Sequence, residues 1–444
     1  MTKHVVVLDI VGLEEKHLNS GLAPNIDKLS NSGEHSKLKS VFPTVTCSVQ
    51  ASFLSGEYPN KHGIISNGYF DKNTNTVSFW EQYDSLVQSP RLWDKIKDKN
   101  NTLSTAVLFW QNTLYSKSDI IVTPKPLHMD DGMIMWCYSK PLNYYEKMTS
   151  FIGEFNLSTY WGPLASPKSS QWITEASKFT LQKQKPRLLL TYIPHVDYSA
   201  QRFGKESNQV LNDIKLADSF VGDIINTSKQ IGIYDDTQFI IFSEYSFNDV
   251  KKSISLNLHL REKGLLKVRE IGNKEYIDFE LSKAFAMVDH QIAHIYTQSD
   301  DDDSIKEILN ILKDIDGIDM ILNKDSKKLF KIDHPRSGNI IIVANKNTWF
   351  NYYWWYDIEK SPNFTKNVDI HRKPGYDPLE LFFEHKTKSI PYQTDLIKSS
   401  HGRPSNIESN EGLSLYVSNK KSDVSKKDGI IDIVNLGKYL QNIF

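Results

Sequence analysis

Three short apolar runs, each ending at a polar cluster, constrain the fold of this chain more than anything else in it. They are Val5-Val6-Val7-Leu8 before Asp9, Leu188-Leu189-Leu190-Thr191-Tyr192-Ile193 before His195 and Asp197, and Gln238-Phe239-Ile240-Ile241-Phe242 before Ser243-Glu244-Tyr245. Unbroken apolarity implies burial on both faces, the situation of a strand inside a largely parallel sheet covered by helices. Helical stretches separate the runs, so the expected class is α/β, with a central, mostly parallel sheet flanked by helices. Ligands of such sheets gather at the carboxyl ends of strands, so three separate segments deliver polar groups to one edge.

From about Lys251 to Ala344 the texture changes to shorter segments, including the acidic run Asp300 to Asp303 and a helix expected from Ser304 to Leu312. The run reads as a solvated loop and helix start, since it lacks the glycine and later glutamate of a calcium loop. An aromatic cluster from Trp349 to Tyr356 reads as packing, with one or two rings available to line a pocket. The expected organisation is a catalytic core in two parts, 1–250 and 345–444, with 251–344 as an inserted cap. The tail after about Ser405 reads as the least constrained part until a helix-like stretch from Ile430 to Phe444.

Charge narrows the partners. Lys plus Arg number 53 against 54 Asp plus Glu, which leaves no positive field for a nucleic-acid polymer or an anionic membrane surface. No run of about 18 apolar residues occurs, so membrane insertion is not expected. The opening residues Met1 to Asp9 read as a strand without a charged leader, and the two cysteines, Cys47 and Cys137, form no disulfide framework or CxxC motif. A cytoplasmic, reducing compartment is the expectation; the oligomeric state stays open. The absence of His-Glu-x-x-His, G-x-G-x-x-G and P-loop motifs argues against a metallopeptidase or a nucleotide-binding fold.

The segment Phe42 to Gly56 reads as a loop entering a helix that stops at Gly56, with Thr46 near the helix N-terminus, where free N–H groups and the helix dipole favour an anion. The hydroxyl there is either a simple N-cap or a nucleophile activated by a metal held by the acids and histidines after the other strands.

The residues resemble a known family. Pro24-Asn25-Ile26-Asp27-Lys28-Leu29, Pro43-Thr44-Val45-Thr46 and the stretch Tyr58 to Asn67 look like the opening third of type I phosphodiesterases and nucleotide pyrophosphatases, of the alkaline phosphatase superfamily. The resemblance continues through Pro194 to Tyr198, Ser243-Glu244-Tyr245, Val288 to His294, Asp369 to Asp377 and Ser400-His401-Gly402. It implies an alkaline-phosphatase-like sheet and two divalent metal ions, zinc as a rule and manganese or another ion as an alternative, clamping an in-line displacement at about 3.5–4 Å separation. By position, Asp9 and Thr46 match the first aspartate and the metal-bound nucleophile, Asp197 an aspartate of the other metal, and His401 that metal's last histidine. Asn67 falls where the family places an asparagine that donates to a phosphate oxygen. Taken singly, Asp9 and Asn67 also read as turn residues, Asp197 as a helix cap and His401 as a surface loop residue.

Two departures stand out. Gln201 occupies a usual histidine position four residues after Asp197, and Glu244-Tyr245 replaces the usual Asp-His pair. Glutamate still binds metal through oxygen, whereas glutamine and tyrosine are poorer partners for zinc. Chemistry suggests His290 and His371 as replacement imidazoles, with Glu244 kept as a ligand and His195 and His294 as alternates. His290 and His294 lie in a strand-like run, pointing to one face with Asp289 on the other. Asp369 and Asp377 read either as carboxylates orienting His371 or as turn closers.

The expected activity is hydrolysis of a small phosphate ester, of phosphodiesterase or nucleotide pyrophosphatase type, through a threonyl-phosphate. No Arg or Lys lies between Val41 and Glu57, which favours a diester or pyrophosphate over a monoester dianion, unless Arg202, Arg372, Lys373 or Arg403 reaches in. The alternatives are a phosphomonoesterase or phosphonate hydrolase of the same superfamily, and a catalytically degenerate binding or scaffold protein.

Overall fold

The computed structural model describes residues 2–130 and 132–444. The three apolar runs are the adjacent central strands of a ten-stranded sheet. His4–Ile10 lies between Leu188–Ile193 and Thr237–Phe242, parallel to both, and every residue of the last two strands is buried. Thr105–Leu108 and Ile120–Pro124 extend the parallel set on one side. On the other side the sheet turns mixed, because Ser414–Ser418 pairs antiparallel with both Thr237–Phe242 and Glu34–Lys39. The tail expected to be loosely constrained therefore supplies an inner strand. Its pattern, Ser-Leu-Tyr-Val-Ser, is five residues long and carries no flanking signal strong enough to announce it.

A second, four-stranded antiparallel sheet comprises Ala284–Asp289, Ile292–Thr297, Ile340–Ala344 and Ile318–Leu322, with its own apolar core. Trp349, Phe350, Tyr352 and Trp354 are buried, all but Trp349 in that core. The helix expected from Ser304 is Asp302–Lys313, capped by the Asp301 carboxylate, which accepts from the Ser304 N–H.

The helix Thr46–Ser55 is wholly buried and ends at Gly56, whose φ of 68° lies in the left-handed region that glycine adopts without cost. The helix Ile433–Ile443 crosses it so closely that a Cβ on Gly437 would stand 2.1 Å from the Phe53 carbonyl oxygen. Among the described residues no helix is long and apolar enough to cross a membrane.

Candidate active site

Asp9 is the sixth residue of the central strand and is in register with Tyr192 and Phe242 of its two neighbours. The residues that follow those neighbours, Asp197 and Glu244, thus emerge beside it. Asp9 is fully buried; one carboxylate oxygen accepts from Gln50 Nε2 at 3.0 Å and the other has no partner. Glu244 is also fully buried, and neither of its oxygens has a hydrogen-bond partner. The side chains of Asp9, Thr46, Gln50 and Tyr245 approach closely enough to favour its ionised form without making a hydrogen bond of ordinary length and angle. Burial pushes the Glu244 carboxyl up to about 7, and burial followed by the charge of Glu244 raises Asp9 well above the usual carboxylate range.

Thr46 is the first residue of its helix, and the residue ahead, Val45, has no side chain able to cap it, so Thr46 is not an N-cap. Its Oγ1 lies 3.2 Å from the Tyr245 hydroxyl. The next N–H, of Cys47, donates to Asn67 Oδ1 at 3.0 Å, and Asn67 Nδ2 and N donate to Asp289 at 3.1 and 2.8 Å. Asn67 was expected to face a phosphate oxygen. In the structure its amide fastens the start of the Thr46 helix to Asp289, a carboxylate that also accepts from Ser66 Oγ.

Asp197 is the third residue of the helix His195–Phe203. Gln201 Nε2 donates to Asp197 Oδ2 at 2.6 Å, and the Tyr376 hydroxyl donates to Gln201 Oε1 at 2.9 Å. Asp197 Oδ1 has no hydrogen-bond partner and lies 3.8 Å from His401 Nε2; burial pushes this carboxyl up to about 7. His401 Nδ1 is 2.7 Å from the Thr44 carbonyl, which requires the proton on Nδ1 and leaves a lone pair on Nε2. Its ring is sandwiched between Tyr245, at a centroid distance of 3.6 Å, and His290 at 3.8 Å, and His290 in turn stacks on Tyr376 at 3.7 Å. Burial, then His290, holds His401 well below the ordinary histidine value.

The histidines expected to replace the missing imidazoles separate into different fates. His290 is not in a strand: it begins the turn between Ala284–Asp289 and Ile292–Thr297, with a φ of 59° that glycine usually takes. That conformation turns its Nδ1 back to Asp289, at 2.7 Å, which the strand reading had put on the opposite face. His294 does not face the site, since Ile65 O and the Gly338 N–H engage its two nitrogens. His371 is exposed, with Nδ1 3.2 Å from the Phe79 carbonyl, and it is Tyr376 of the same loop that stands against His290. Asp377 and Glu380 hold the buried Lys373 rather than His371, and Asp369 pairs with Arg372. His195 is a buried wall residue, its Nε2 at 3.0 Å from the Asp213 carbonyl.

Sequence reasoning missed Gln50, Asp289 and Tyr376. Gln50 was within reach, because it sits four residues after Thr46 and so shares its helix face.

All four candidate cations are engaged elsewhere. Arg202 donates to the carbonyls of Gly162, Pro163, Ala165 and Leu381, Arg403 pairs with Asp319, and Arg372 and Lys373 are held as above. Among the described residues no group of three or more His, Cys, Asp or Glu side chains is arranged to hold a metal ion. The donor set nevertheless suits a divalent cation, since buried carboxylate oxygens without partners on Asp9, Glu244 and Asp197 lack any compensating positive charge.

Residues 5–377 match the family described as type I phosphodiesterase / nucleotide pyrophosphatase. A pyrophosphatase/phosphodiesterase of Schizosaccharomyces pombe is 26% identical over 244 residues, 54% of this chain and 44% of that protein. Ectonucleotide pyrophosphatase/phosphodiesterase family member 1 of Rattus norvegicus is 23% identical over 59% of this chain and 26% of its own length. The match thus spans less than half of either relative. The fold is that of phosphonoacetate hydrolase from Sinorhizobium meliloti, with a TM-score of 0.65 at 15% identity over 99% of this chain and 96% of that one. Murine ectonucleotide pyrophosphatase / phosphodiesterase 5, solved as an inactive variant with AMP, aligns with a TM-score of 0.61 at 13% identity over 99% of this chain and 95% of its own.

Proposed function

The chain belongs to the type I phosphodiesterase / nucleotide pyrophosphatase family, and we propose that it hydrolyses phosphodiester or pyrophosphate bonds of small phosphate esters, with Thr46 as the nucleophile. The observation that carries this reading is a buried hydroxyl on the first residue of a helix, beside a carboxylate whose two oxygens have no partner. Asp9, Glu244 and the Thr46 hydroxyl would hold a divalent cation, with Asp197 and His401 facing the departing oxygen. Such an ion, when bound, would lower the pKa of the hydroxyl it contacts and offset charge on the transferred phosphoryl group.

The chain's own groups do the rest. Tyr245 Oη orients the Thr46 hydroxyl, and Glu244 is the base beside it. As Thr46 Oγ1 bonds to phosphorus and its proton passes to Glu244, the bond to the leaving oxygen breaks and that group departs as alcohol or phosphate on the Asp197 and His401 side. Water then cleaves the threonyl-phosphate, releasing the phosphorylated product and returning the proton to Thr46. First-turn N–H groups of the Thr46 helix stabilise charge on the non-bridging oxygens. His290 acts through contact with His401, and Asn67 by fixing the Cys47 N–H. With Arg202, Arg372, Lys373 and Arg403 all paired elsewhere, no side-chain cation among those candidates serves a monoester dianion, which supports a diester or pyrophosphate. Two buried, unpaired cysteines, Cys47 and Cys137, support work in a reducing compartment such as the cytoplasm.

The test is turnover of bis(p-nitrophenyl) phosphate and p-nitrophenyl phosphate with added Mn2+, Mg2+ or Zn2+, for the native chain and Thr46→Ala. Diester turnover should exceed monoester turnover and fall by roughly 10³-fold or more in the variant, with folding retained. Unchanged turnover in Thr46→Ala sinks the mechanism, and no turnover with any ion returns the chain to the binding or scaffold reading.

A further inference from the structure

We propose that this site takes one oxygen-loving divalent cation, manganese(II) or magnesium, at Asp9, Glu244 and Thr46, in place of a zinc pair. The proposal deepens the cation-assisted reading above and rests on it.

The two halves of the site differ in what they offer an ion. Beside Thr46, three carboxylate oxygens have no partner, Asp9 Oδ1 and both of Glu244, and both residues are fully buried. The other side chains that act most strongly on Glu244 are hydroxyls and an amide: Thr46, Tyr245 and Gln50. No imidazole enters this group. Tyr245, which stands at a position that would have to supply one, has its hydroxyl on Thr46 and its ring flat against His401. Carboxylates and hydroxyls without nitrogen or sulfur suit hard ions that accept oxygen alone, whereas zinc sites draw on imidazole or thiolate.

The other half is closed to a second ion. Gln201 is locked by two hydrogen bonds, its Nε2 to Asp197 and its Oε1 from Tyr376, so it presents N–H groups rather than a lone pair toward Asp197. What remains is Asp197 Oδ1 and His401 Nε2, two donors where zinc takes four ligands, three of them from protein at catalytic sites. His290 does not complete the set, because its Nδ1 is held by Asp289 and its ring is wedged between Tyr376, on which it stacks, and the tilted ring of His401.

The experiment strips the full chain with chelator and titrates it with Mn2+, followed by electron paramagnetic resonance and calorimetry. One Mn2+ per chain should bind and be displaced by excess Mg2+. Zinc should bind at no more than one per chain and within about tenfold of Mn2+, a small gap given that nearly every site ranks zinc above manganese. Glu244→Gln should weaken Mn2+ binding at least about tenfold, with Asp9→Asn as the second variant should the first fail to fold. Tyr245→His should raise zinc affinity about tenfold while leaving Mn2+ within about threefold. Two tightly held zinc ions per native chain, or Mn2+ affinity unchanged in both carboxamide variants, overturns the proposal. Failure here is separable from failure of the hydrolase reading: two zinc ions with Thr46-dependent turnover reject only the ion, and one Mn2+ without turnover rejects only the reaction.

Discussion

Glu244 and Asp289 are both fully buried carboxylates within reach of the Thr46 helix, and they are treated in opposite ways. Asp289, at the end of a strand of the smaller sheet, accepts four hydrogen bonds, from Ser66 Oγ, the N and Nδ2 of Asn67, and His290 Nδ1. Glu244, at the carboxyl edge of the large sheet, accepts none. The first region is complete in the protein alone and fixes shape. The second is left with uncompensated charge, which folding does not reward and a ligand would. The contrast separates the part of the site that holds from the part that reacts.

That contrast breaks most sharply at Glu244. Glu244→Gln should lower diester turnover by about 10²–10³-fold while the cation-free protein melts no lower than the native chain, since the change removes an unpartnered buried acid. A large drop in melting temperature without added ion would show that Glu244 is structural after all. Asp289→Ala should do the reverse, costing about 3 kcal/mol of stability in denaturant titrations because Asn67 and His290 lose their acceptor. A loss under about 1 kcal/mol would remove the distinction.

The pH dependence sharpens it further. Asp197 and Glu244 ionise near 4 in an unfolded chain and at about 7 when folded without an ion. Their neutral forms are favoured by folding, so the stability they contribute is complete below about 4 and lost as pH rises through about 7. The cation needs Glu244 and Asp9 ionised, and burial raises both, so the gap in melting temperature between Mn2+-loaded and chelated protein should widen from pH 5 to pH 8. A gap that is flat or shrinks over that range contradicts the assignment. The smallest effect is expected at Tyr376→Phe, which frees Gln201 Oε1 and should cost about 1 kcal/mol of stability with a turnover change of a few fold.

The parts of the site carried on single elements were legible from residue order. Asp9 stands one residue before the end of an apolar strand, Thr46 opens a helix that Gly56 closes, and both follow from local chemistry. What joins elements far apart in sequence was not. The Asn67–Asp289 link spans 222 positions, and neither residue carries a local sign of the other. His290 was misread because a histidine in the left-handed region of a turn looks, by type, like one more residue of an apolar strand. His371 and Tyr376 share a loop whose Pro-Gly pair announces a turn without saying which side chain it aims inward. The inner strand Ser414–Ser418 was hidden for a related reason: its partners lie more than 170 residues away on both sides.

The close crossing of Ile433–Ile443 over the nucleophile helix bears on the order in which the site comes into being. Asp9, Thr46, Asp197, Glu244 and His401 all precede residue 433, and the helix bearing Thr46 already rests on the sheet through Phe53, stacked on Phe242 at 4.5 Å, but its far side stays uncovered until Gly437 slides against Phe53. A chain clipped before that helix carries each reactive group and still lacks the abutment behind the nucleophile helix, so a cut far from every reactive side chain would loosen the one that attacks.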